Sequence, residues 1–246
     1  MSTVDWSAWR LRGAQAAAEP GAAPGADPAG AGEGLRERKK RETRQRLSDT
    51  ATEMFLERGF DAVRVAEIAR ACRVSEKTVF NYFPTKEALV LDLGDATRAA
   101  LVEGLADPGR SPVEAALRIL SAELGALTSW IAAQEDPAAA AERVRRFGAL
   151  TRSTPSLRAY HRDMTDRLVA AAAQTLAARA GMEPGDPEPQ IAASALLGLW
   201  PVQFQSLGRH LDGVRAPDEV HAAVTADVRR AARLLDAGLA SFGGGA

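Results

Sequence analysis

The fold of this chain is decided by residues 64 to 89, which read RVAEIARACRVSEKTVFNYFPTKEAL. Ile68, Ala69 and Cys72 form the small apolar face of one short helix, and a second short helix follows after a tight turn. Two helices joined in this way form the helix-turn-helix, whose second helix enters the major groove of DNA. The stretch therefore predicts an element that reads DNA.

The second of these helices carries a polar face. At about 100° per residue, Lys77, Thr78 and Asn81 share one side, while Val79 falls opposite. Ser75 stands where an N-cap belongs, so we expect the helix to begin there and to present its N-terminal half. Taken alone, such an amphipathic helix also fits simple packing against a neighbour.

The residues upstream supply a further helix. Leu47, Ala51, Met54 and Phe55 recur at the spacing of one helix face, and we expect that helix to end near Gly59. Three short helices with one polar recognition face are the minimal helix-turn-helix architecture.

The stretch 44–89 resembles the DNA-binding domain of the TetR family of transcriptional regulators. The matching residues are AxxxF at 51–55, GFDA at 59–62, VAEIA at 65–69 and VSEKTVFNYFPTKEAL at 74–89. The resemblance implies an all-α protein with a helix-turn-helix domain over 35–89, its helix-turn-helix at about 64–83. A helical ligand-binding and dimerisation domain is then expected over 90–246.

The chain departs from the family pattern at two positions. The family usually has Thr or Ser just before Val65, where this chain has Arg64, whose guanidinium cannot cap in the same way but can reach a phosphate. The family usually has Gly in the turn, where this chain has Arg73. A left-handed backbone there costs a non-glycine residue about 1 kcal/mol, so the turn is strained, ends differently or simply tolerates the arginine.

The resemblance also implies roles for individual side chains. Lys77, Thr78 and Asn81 are expected at base edges, because lysine suits guanine acceptors, threonine a thymine methyl and asparagine adenine. Phosphate contacts fix register without reading sequence. The expected phosphate contacts are Arg64, Ser75, Tyr82 and Lys86. For Tyr82, packing against the next helix is the alternative.

Charge is unevenly distributed along the chain, whose formal net charge is −1. Residues 36–46 carry seven basic and two acidic side chains, and residues 33–90 carry thirteen basic and ten acidic ones, which leaves −4 for the remainder. A basic head on an acidic body fits a regulator that docks in one orientation. The basic run 36–41 is expected directly before the first helix, where it resembles N-terminal arms that contact the DNA backbone or minor groove in some relatives, and a solvated charge run is the alternative.

Composition excludes several other classes of protein. Residues 1–34 are predicted to be a disordered tail, because 14–34 are nearly all Ala, Gly, Pro and acidic residues. Trp6 and Trp9 in that tail are either an anchor or incidental. The single cysteine, Cys72, excludes an intramolecular disulfide and is expected to be buried. No apolar window suggests a signal peptide or membrane span, so a cytoplasmic protein with no membrane partner is expected.

No catalytic or metal-binding pattern is found in the sequence. The three histidines, His161, His210 and His221, form no ligand-spaced cluster, so no metal or cofactor is expected. We find no nucleophile–base arrangement, phosphate loop or paired carboxylates in a defined context, and we therefore predict that the chain is not an enzyme.

Proline and glycine breaks divide the remaining chain into helices, about nine in the whole protein. The expected ranges are 85–105, 111–134, 136–153, 154–180, 189–211 and 216–242. Pro201 is expected to kink the eighth helix, because it removes a backbone hydrogen bond.

The last two helices carry apolar stripes that fit either a core or an interface with a second copy. The resemblance implies a homodimer through these helices, and the expected interface residues are Leu199, Val228, Leu235 and Leu239. The middle helices resemble a ligand-binding domain. The large side chains expected to line its pocket are Trp130, Phe147, Tyr160, Met164, Trp200 and Phe204, with Arg143 or His161 meeting a polar ligand group. Plain core or surface roles are the alternative.

The resemblance thus implies a homodimeric repressor that binds a palindromic operator in double-stranded DNA. A small-molecule effector is expected to release it by preferring the conformation with wrongly spaced recognition helices. The alternative is a DNA-binding regulator that acts without a ligand or under a partner protein's control, and a helical enzyme is a remote third.

Overall fold

The computed structural model describes residues 34–91, 94–212 and 214–236. Residues 1–33 of the tail that was predicted to be disordered, with Trp6 and Trp9, and Leu239 near the other end lie outside these residues. The described residues form eleven helices and no strand, which confirms the all-α prediction. The helices are α1 (Leu35–Arg58), α2 (Val65–Ala71), α3 (Glu76–Tyr82), α4 (Ala88–Leu91), α5 (Gly94–Ala106), α6 (Pro112–Ala132), α7 (Pro137–Ser153), α8 (Pro155–Ala180), α9 (Pro187–Leu197), α10 (Leu199–His210) and α11 (Pro217–Asp236).

Helices α1 to α4 form a small unit, called the head below, and α5 to α11 form the body. The centre of the head is apolar: Leu47, Phe55, Ile68 and Leu89 are fully buried. The Ser48 hydroxyl donates to the Leu89 carbonyl at 2.9 Å and joins α1 to α4. This packing fixes α2 and α3 against α1, so that only their outer faces reach solvent.

The basic run at 36–41 is part of α1, which begins at Leu35. The sequence placed this run before the first helix, and that boundary is wrong. Arg, Lys and Glu are good helix formers, so nothing local stops the helix from extending upstream of its buried half. The exposed basic side chains are therefore carried on helical turns.

Several helices of the body begin where the sequence places their caps. The Ser111 hydroxyl accepts from the Glu114 amide at 3.1 Å, and the Asp136 carboxylate accepts from the Ala139 amide at 2.9 Å. Proline follows at the first helical position of α6, α7 and α8, where its missing amide hydrogen is no loss. These signals explain why the predicted starts agree with the structure.

The predicted eighth helix is interrupted, and the structure has α9 and α10 in its place. The interruption lies at Gly198, one turn before Pro201. The ring of a proline clashes with the carbonyl four residues earlier, here that of Leu197, so the disturbance appears upstream of the proline itself. A Cβ atom at Gly198 would lie 3.0 Å from the Ala195 carbonyl oxygen, so glycine suits the bend.

Helix α6 is the central helix of the body and packs against α5 and α11. By length and composition it is the one described helix apolar enough to cross a membrane, but half of its apolar window is buried inside the protein. Helix α7 joins the body to the head: Arg143 forms an ion pair with Glu53 of α1, and the Arg146 guanidinium donates to the Leu56 carbonyl at 2.7 Å. Arg143 is thus engaged with the head.

Candidate nucleic-acid interface

The N-terminal turn of α3 is held by Ser75. Its hydroxyl oxygen accepts from the Thr78 amide at 3.1 Å and also lies 2.8 Å from the Thr78 hydroxyl oxygen. Val79 is buried on the inner side, while Lys77 and Asn81 are exposed. The helical phase derived from the sequence thus agrees with the structure, and Lys77, Thr78 and Asn81 lie on the outer side of α3.

The turn between α2 and α3 is left-handed at Arg73, where φ is +56°, the one non-glycine residue with positive φ among the described residues. The Arg73 amide donates to the Arg70 carbonyl at 3.1 Å, and the Val74 amide donates to the Ala69 carbonyl at 2.9 Å. This pair of bonds is the Schellman arrangement that usually has glycine at this position. Of the alternatives that the sequence left open, a different helix ending is therefore ruled out, because Arg73 adopts the left-handed backbone itself.

Helix α2 begins without a side-chain cap at Arg64, as the sequence suggested. The Glu67 carboxylate accepts from the Arg64 amide at 2.8 Å and also forms an ion pair with Arg58 at 3.0 Å. The hydrogen bond from the Arg64 amide is the main reason why the pKa of Glu67 is lowered. Glu67 therefore supplies the cap, and the Arg64 side chain stays exposed at the surface.

The C-terminal end of α3 is tied to α1 by Arg44. Its guanidinium donates to the Tyr82 carbonyl at 2.6 Å and lies 4.5 Å from the centre of the Phe83 ring. The Tyr82 side chain is half-buried against the core of the head. Packing and an outward-facing hydroxyl are compatible for this residue, because a tyrosine has an apolar ring and a polar tip.

Lys86, an expected phosphate contact, has its side chain turned inward in this structure. Its ammonium group donates to the Phe60 carbonyl at 2.5 Å and lies 4.3 Å from the centre of the Phe60 ring and 5.5 Å from that of Phe55. Burial lowers the pKa of Lys86. A long flexible side chain follows the stronger local attraction, and here two aromatic faces and a carbonyl supply it.

Phe80 was missed by the sequence reasoning. It lies on α3 with 47% of its surface exposed, three residues after Lys77. The signal was present in the sequence, because a large apolar residue outside the buried stripe of a short helix has no core to enter. Its position adds an apolar side chain to the polar outer surface of α3.

None of the six aromatic and methionine residues expected to line a pocket lines either of the two clefts described in the body. Trp130 and Phe147 are buried in the core, whereas Phe204 is 41% exposed. The two clefts described in the body are lined by other residues. Tyr160 and Met164 are half-buried on α8, and His161 beside them is exposed.

Trp200, the sixth of these residues, binds a buried carboxyl group. Its indole Nε1 donates to Glu123 of α6 at 3.0 Å, and the Thr97 hydroxyl of α5 donates to the same carboxylate at 3.3 Å. Burial raises the pKa of Glu123 to about 7, although both hydrogen bonds favour the charged form. Glu123 therefore joins α5, α6 and α10 through a group that is poised between two charge states near neutral pH.

The expected interface residues Leu199 and Val228 belong to the core of the protomer. Each is only 2% exposed, so the protomer itself already covers both side chains. Leu235 is partly buried against the same core. The exposed apolar side chains of α9, α10 and α11 are instead Ile191, Phe204 and Leu234.

Helix α10 is fixed against α11 by Asp227. Its carboxylate accepts from the Ser206 hydroxyl at 2.7 Å and contacts the His210 ring at 3.2 Å, with Arg230 and Arg209 at 2.8 and 2.9 Å. The Ser206 and His210 hydrogen bonds hold the pKa of Asp227 well below its usual range. These contacts hold α10 and α11 in a fixed position relative to each other.

The head thus places a capped recognition helix with exposed polar side chains on a basic unit, and a helical body follows. Fold and surface together define a helix-turn-helix DNA-binding protein.

Comparison with known proteins assigns the family. Residues 47–93 match the profile of bacterial regulatory proteins of the tetR family, and residues 124–240 match the MftR C-terminal domain. The chain is 31% identical to the HTH-type transcriptional regulator TcmR of Streptomyces glaucescens, over 63% of this chain and 68% of the relative. It is 30% identical to the putative mycofactocin biosynthesis transcriptional regulator MftR of Mycobacterium tuberculosis, over 66% of this chain and 78% of the relative.

Among solved structures, the chain is similar to NalD, the secondary repressor of the MexAB-OprM multidrug efflux pump in Pseudomonas aeruginosa. That match has a TM-score of 0.47 and 23% identity, and it covers 78% of this chain and 96% of NalD. The chain belongs to the TetR family. It is accordingly a DNA-binding transcriptional regulator and not an enzyme.

Proposed function

We propose that the protein is a homodimeric repressor that binds a palindromic operator and leaves it when a small molecule binds the body. The proposed DNA-binding domain spans residues 35–89, and the ligand-binding and dimerisation domain spans 90–246. The observation that carries the proposal is α3, a recognition helix capped by Ser75 with Lys77 and Asn81 exposed on its outer face. We place the protein in the cytoplasm, where its DNA partner is.

The proposed DNA contacts of the head divide into residues that contact bases and residues that contact phosphates. Lys77, Thr78 and Asn81 are the proposed base contacts, and Phe80 adds an apolar contact suited to a thymine methyl group. Ser75, Tyr82 and the exposed Arg64 are the proposed phosphate contacts, which set the register of the helix. Lys86 is left out of this set, because its ammonium group is bound to the Phe60 carbonyl.

Dimerisation is supported by apolar side chains that the protomer leaves uncovered. Ile191 is 68% exposed on α9 and Leu234 is 83% exposed on α11, and Phe204 of α10 is also exposed. A second copy that covers these side chains forms a two-fold interface, which pairs identical surfaces. Two recognition helices related by that axis read half-sites about one helical turn of DNA apart.

Release by an effector is supported by the contacts between body and head. Arg143 and Arg146 of α7 contact Glu53 and the Leu56 carbonyl of α1, so a shift of α7 moves the head. A ligand that binds better to the shifted body favours the conformation whose recognition helices do not match the operator.

The first test is a gel shift on the DNA upstream of the gene. Lys77→Ala and Asn81→Ala are each expected to cost about 1–3 kcal/mol and to relax specificity at one base position per half-site. Arg162→Ala is the matched control, since Arg162 is an exposed basic residue on α8 of the body. Equal loss in all three variants, or unchanged binding by Lys77→Ala, would contradict the assignment of α3.

The dimer is tested with Leu234→Glu, which places a charge on the exposed face of α11. Sedimentation is expected to show a monomer whose DNA affinity falls to the nonspecific level. Val214→Glu is the control, because Val214 is 89% exposed but lies in the loop before α11. A dimeric Leu234→Glu variant would rule out this face. Addition of a metabolite extract to the gel shift then separates release by a ligand from ligand-independent binding.

A further inference from the structure

A cleft of about 430 Å³ lies between α6, α10 and α11. This volume falls in the range of small-molecule sites. The cleft contains none of the six side chains that the sequence suggested for a pocket. Its apolar wall consists of Leu117, Leu120, Ala122 and Val228. Its polar lining comes from all three helices and consists of Glu114, Arg118, Ser121, Gln203, Thr225 and Arg229.

Two buried donors in this cleft have no hydrogen-bond partner among the described residues. They are Nε of Arg118 and the hydroxyl oxygen of Thr225. Buried polar groups are nearly always paired in folded proteins, and a buried guanidinium nitrogen is costly to leave unpaired. Both atoms belong to residues that line the same cleft, so a ligand seated there lies beside two polar side chains whose hydrogen-bonding capacity is not used up within the described residues.

The charge of the cleft is positive. Arg118 and Arg229 line it, and neither forms an ion pair within the described part of the chain. The one acidic residue, Glu114, directs its carboxylate to the Ser111 amide at 2.9 Å, so the lining carries two positive charges against one negative charge. The cleft therefore offers two guanidinium groups and an apolar wall to whatever enters.

We propose that this cleft binds a small amphiphilic carboxylate, with the carboxylate on Arg118 and the apolar part against Leu117 and Ala122. A carboxylate takes two parallel hydrogen bonds from the Nε edge of a guanidinium, a geometry that lysine cannot offer. The Thr225 hydroxyl supplies a further donor, and Arg229 adds charge at the rim. This site goes beyond the proposed function, and its occupancy is measured without DNA.

The test is titration calorimetry of the full chain with sodium octanoate, and with 1-octanol as the uncharged probe of equal length. Octanoate is expected to bind at least about tenfold more tightly than octanol, and Arg118→Met is expected to remove that preference while keeping an apolar side chain. Arg233→Met is the matched control, because Arg233 is exposed on α11 and does not line the cleft.

A second variant, Ser121→Trp, fills the cleft from α6 and is expected to abolish octanoate binding, which keeps the test decisive if Arg118→Met fails to fold. Absence of octanoate binding, equal binding of octanoate and octanol, or unchanged affinity in a folded Arg118→Met or Ser121→Trp variant overturns the proposal. None of these outcomes bears on the gel shifts, so the site and the proposed function fail separately.

Discussion

Replacement of Arg73 by glycine is expected to stabilise the head. Arg73 ends α2 with φ at +56°, whereas the chain ends α8 in the same way with glycine, at Gly181 with φ at +66°. The hydrogen bond that spans the turn is 2.9 Å long in both places, from Val74 to Ala69 and from Met182 to Ala177. The protein thus has two helix ends of the same geometry, one with the favoured glycine and one with the disfavoured arginine.

The size of the effect follows from two opposing terms. A left-handed backbone costs a residue with a Cβ atom about 1–2 kcal/mol, which glycine does not incur. Glycine loses more freedom on folding, which offsets about 0.4–1 kcal/mol. We therefore expect Arg73→Gly to raise the free energy of unfolding by about 0.5–1 kcal/mol. The exposed Arg73 side chain contributes no buried contact that would be lost.

The assay is urea unfolding followed by circular dichroism, at one fixed protein concentration because dimerisation makes stability depend on it. Arg73→Ala is the decisive control, since it removes the same charge but keeps the Cβ atom. Arg73→Asn is expected to fall between the two, because asparagine tolerates this conformation. Gly181→Ala is expected to destabilise the body. If Arg73→Gly were no more stable than Arg73→Ala, the argument from backbone strain would be refuted.

Three further predictions concern the body and the inner side of the head. The folded pKa of Glu123, about 7, lies above its unfolded value, so the wild type loses stability as pH rises from about 4.5 to 7. Glu123→Gln is therefore expected to be more stable than wild type by up to about 3 kcal/mol near pH 8. Urea unfolding contradicts this if the difference in unfolding free energy between variant and wild type is no larger near pH 8 than near pH 4.5. Gly198→Ala is expected to lower the melting temperature by an amount equivalent to about 1 kcal/mol, because its Cβ crowds the Ala195 carbonyl, whereas Gly104→Ala, with only ordinary contacts, is not. Lys86→Met is expected to lower the unfolding free energy by about 1–2 kcal/mol, because it removes the ammonium contacts with the Phe60 carbonyl and ring. Unchanged stability together with lost DNA affinity would instead support Lys86 as a phosphate contact.

Helix starts were predictable because their signals are local. Ser111 and Asp136 cap α6 and α7 through hydrogen bonds that span three residues, and the prolines that follow need no distant partner. The outer face of α3 was predictable for a similar reason, since helical phase alone places Lys77 and Asn81 opposite Val79.

The remaining features depend on contacts between distant parts of the chain. An apolar stripe indicates that Leu199 and Val228 are buried, but not whether their own protomer or a second copy covers them. The direction of the Lys86 side chain is set by Phe60, which lies on another segment of the chain, and so the sequence position of Lys86 could not predict it. Cavities are still harder to predict, because a cleft such as the one beside Arg118 depends on how completely three helices pack against each other.

The helical basic run at the start of α1 has a consequence for the way the protein meets DNA. Its charges keep a constant position relative to α3, since both belong to one packed head. With a positive head and a negative remainder, the molecule carries a permanent dipole, on which the field of a polyanion exerts a torque. Encounters are therefore oriented before any contact forms, so salt is expected to slow association more than it hastens dissociation.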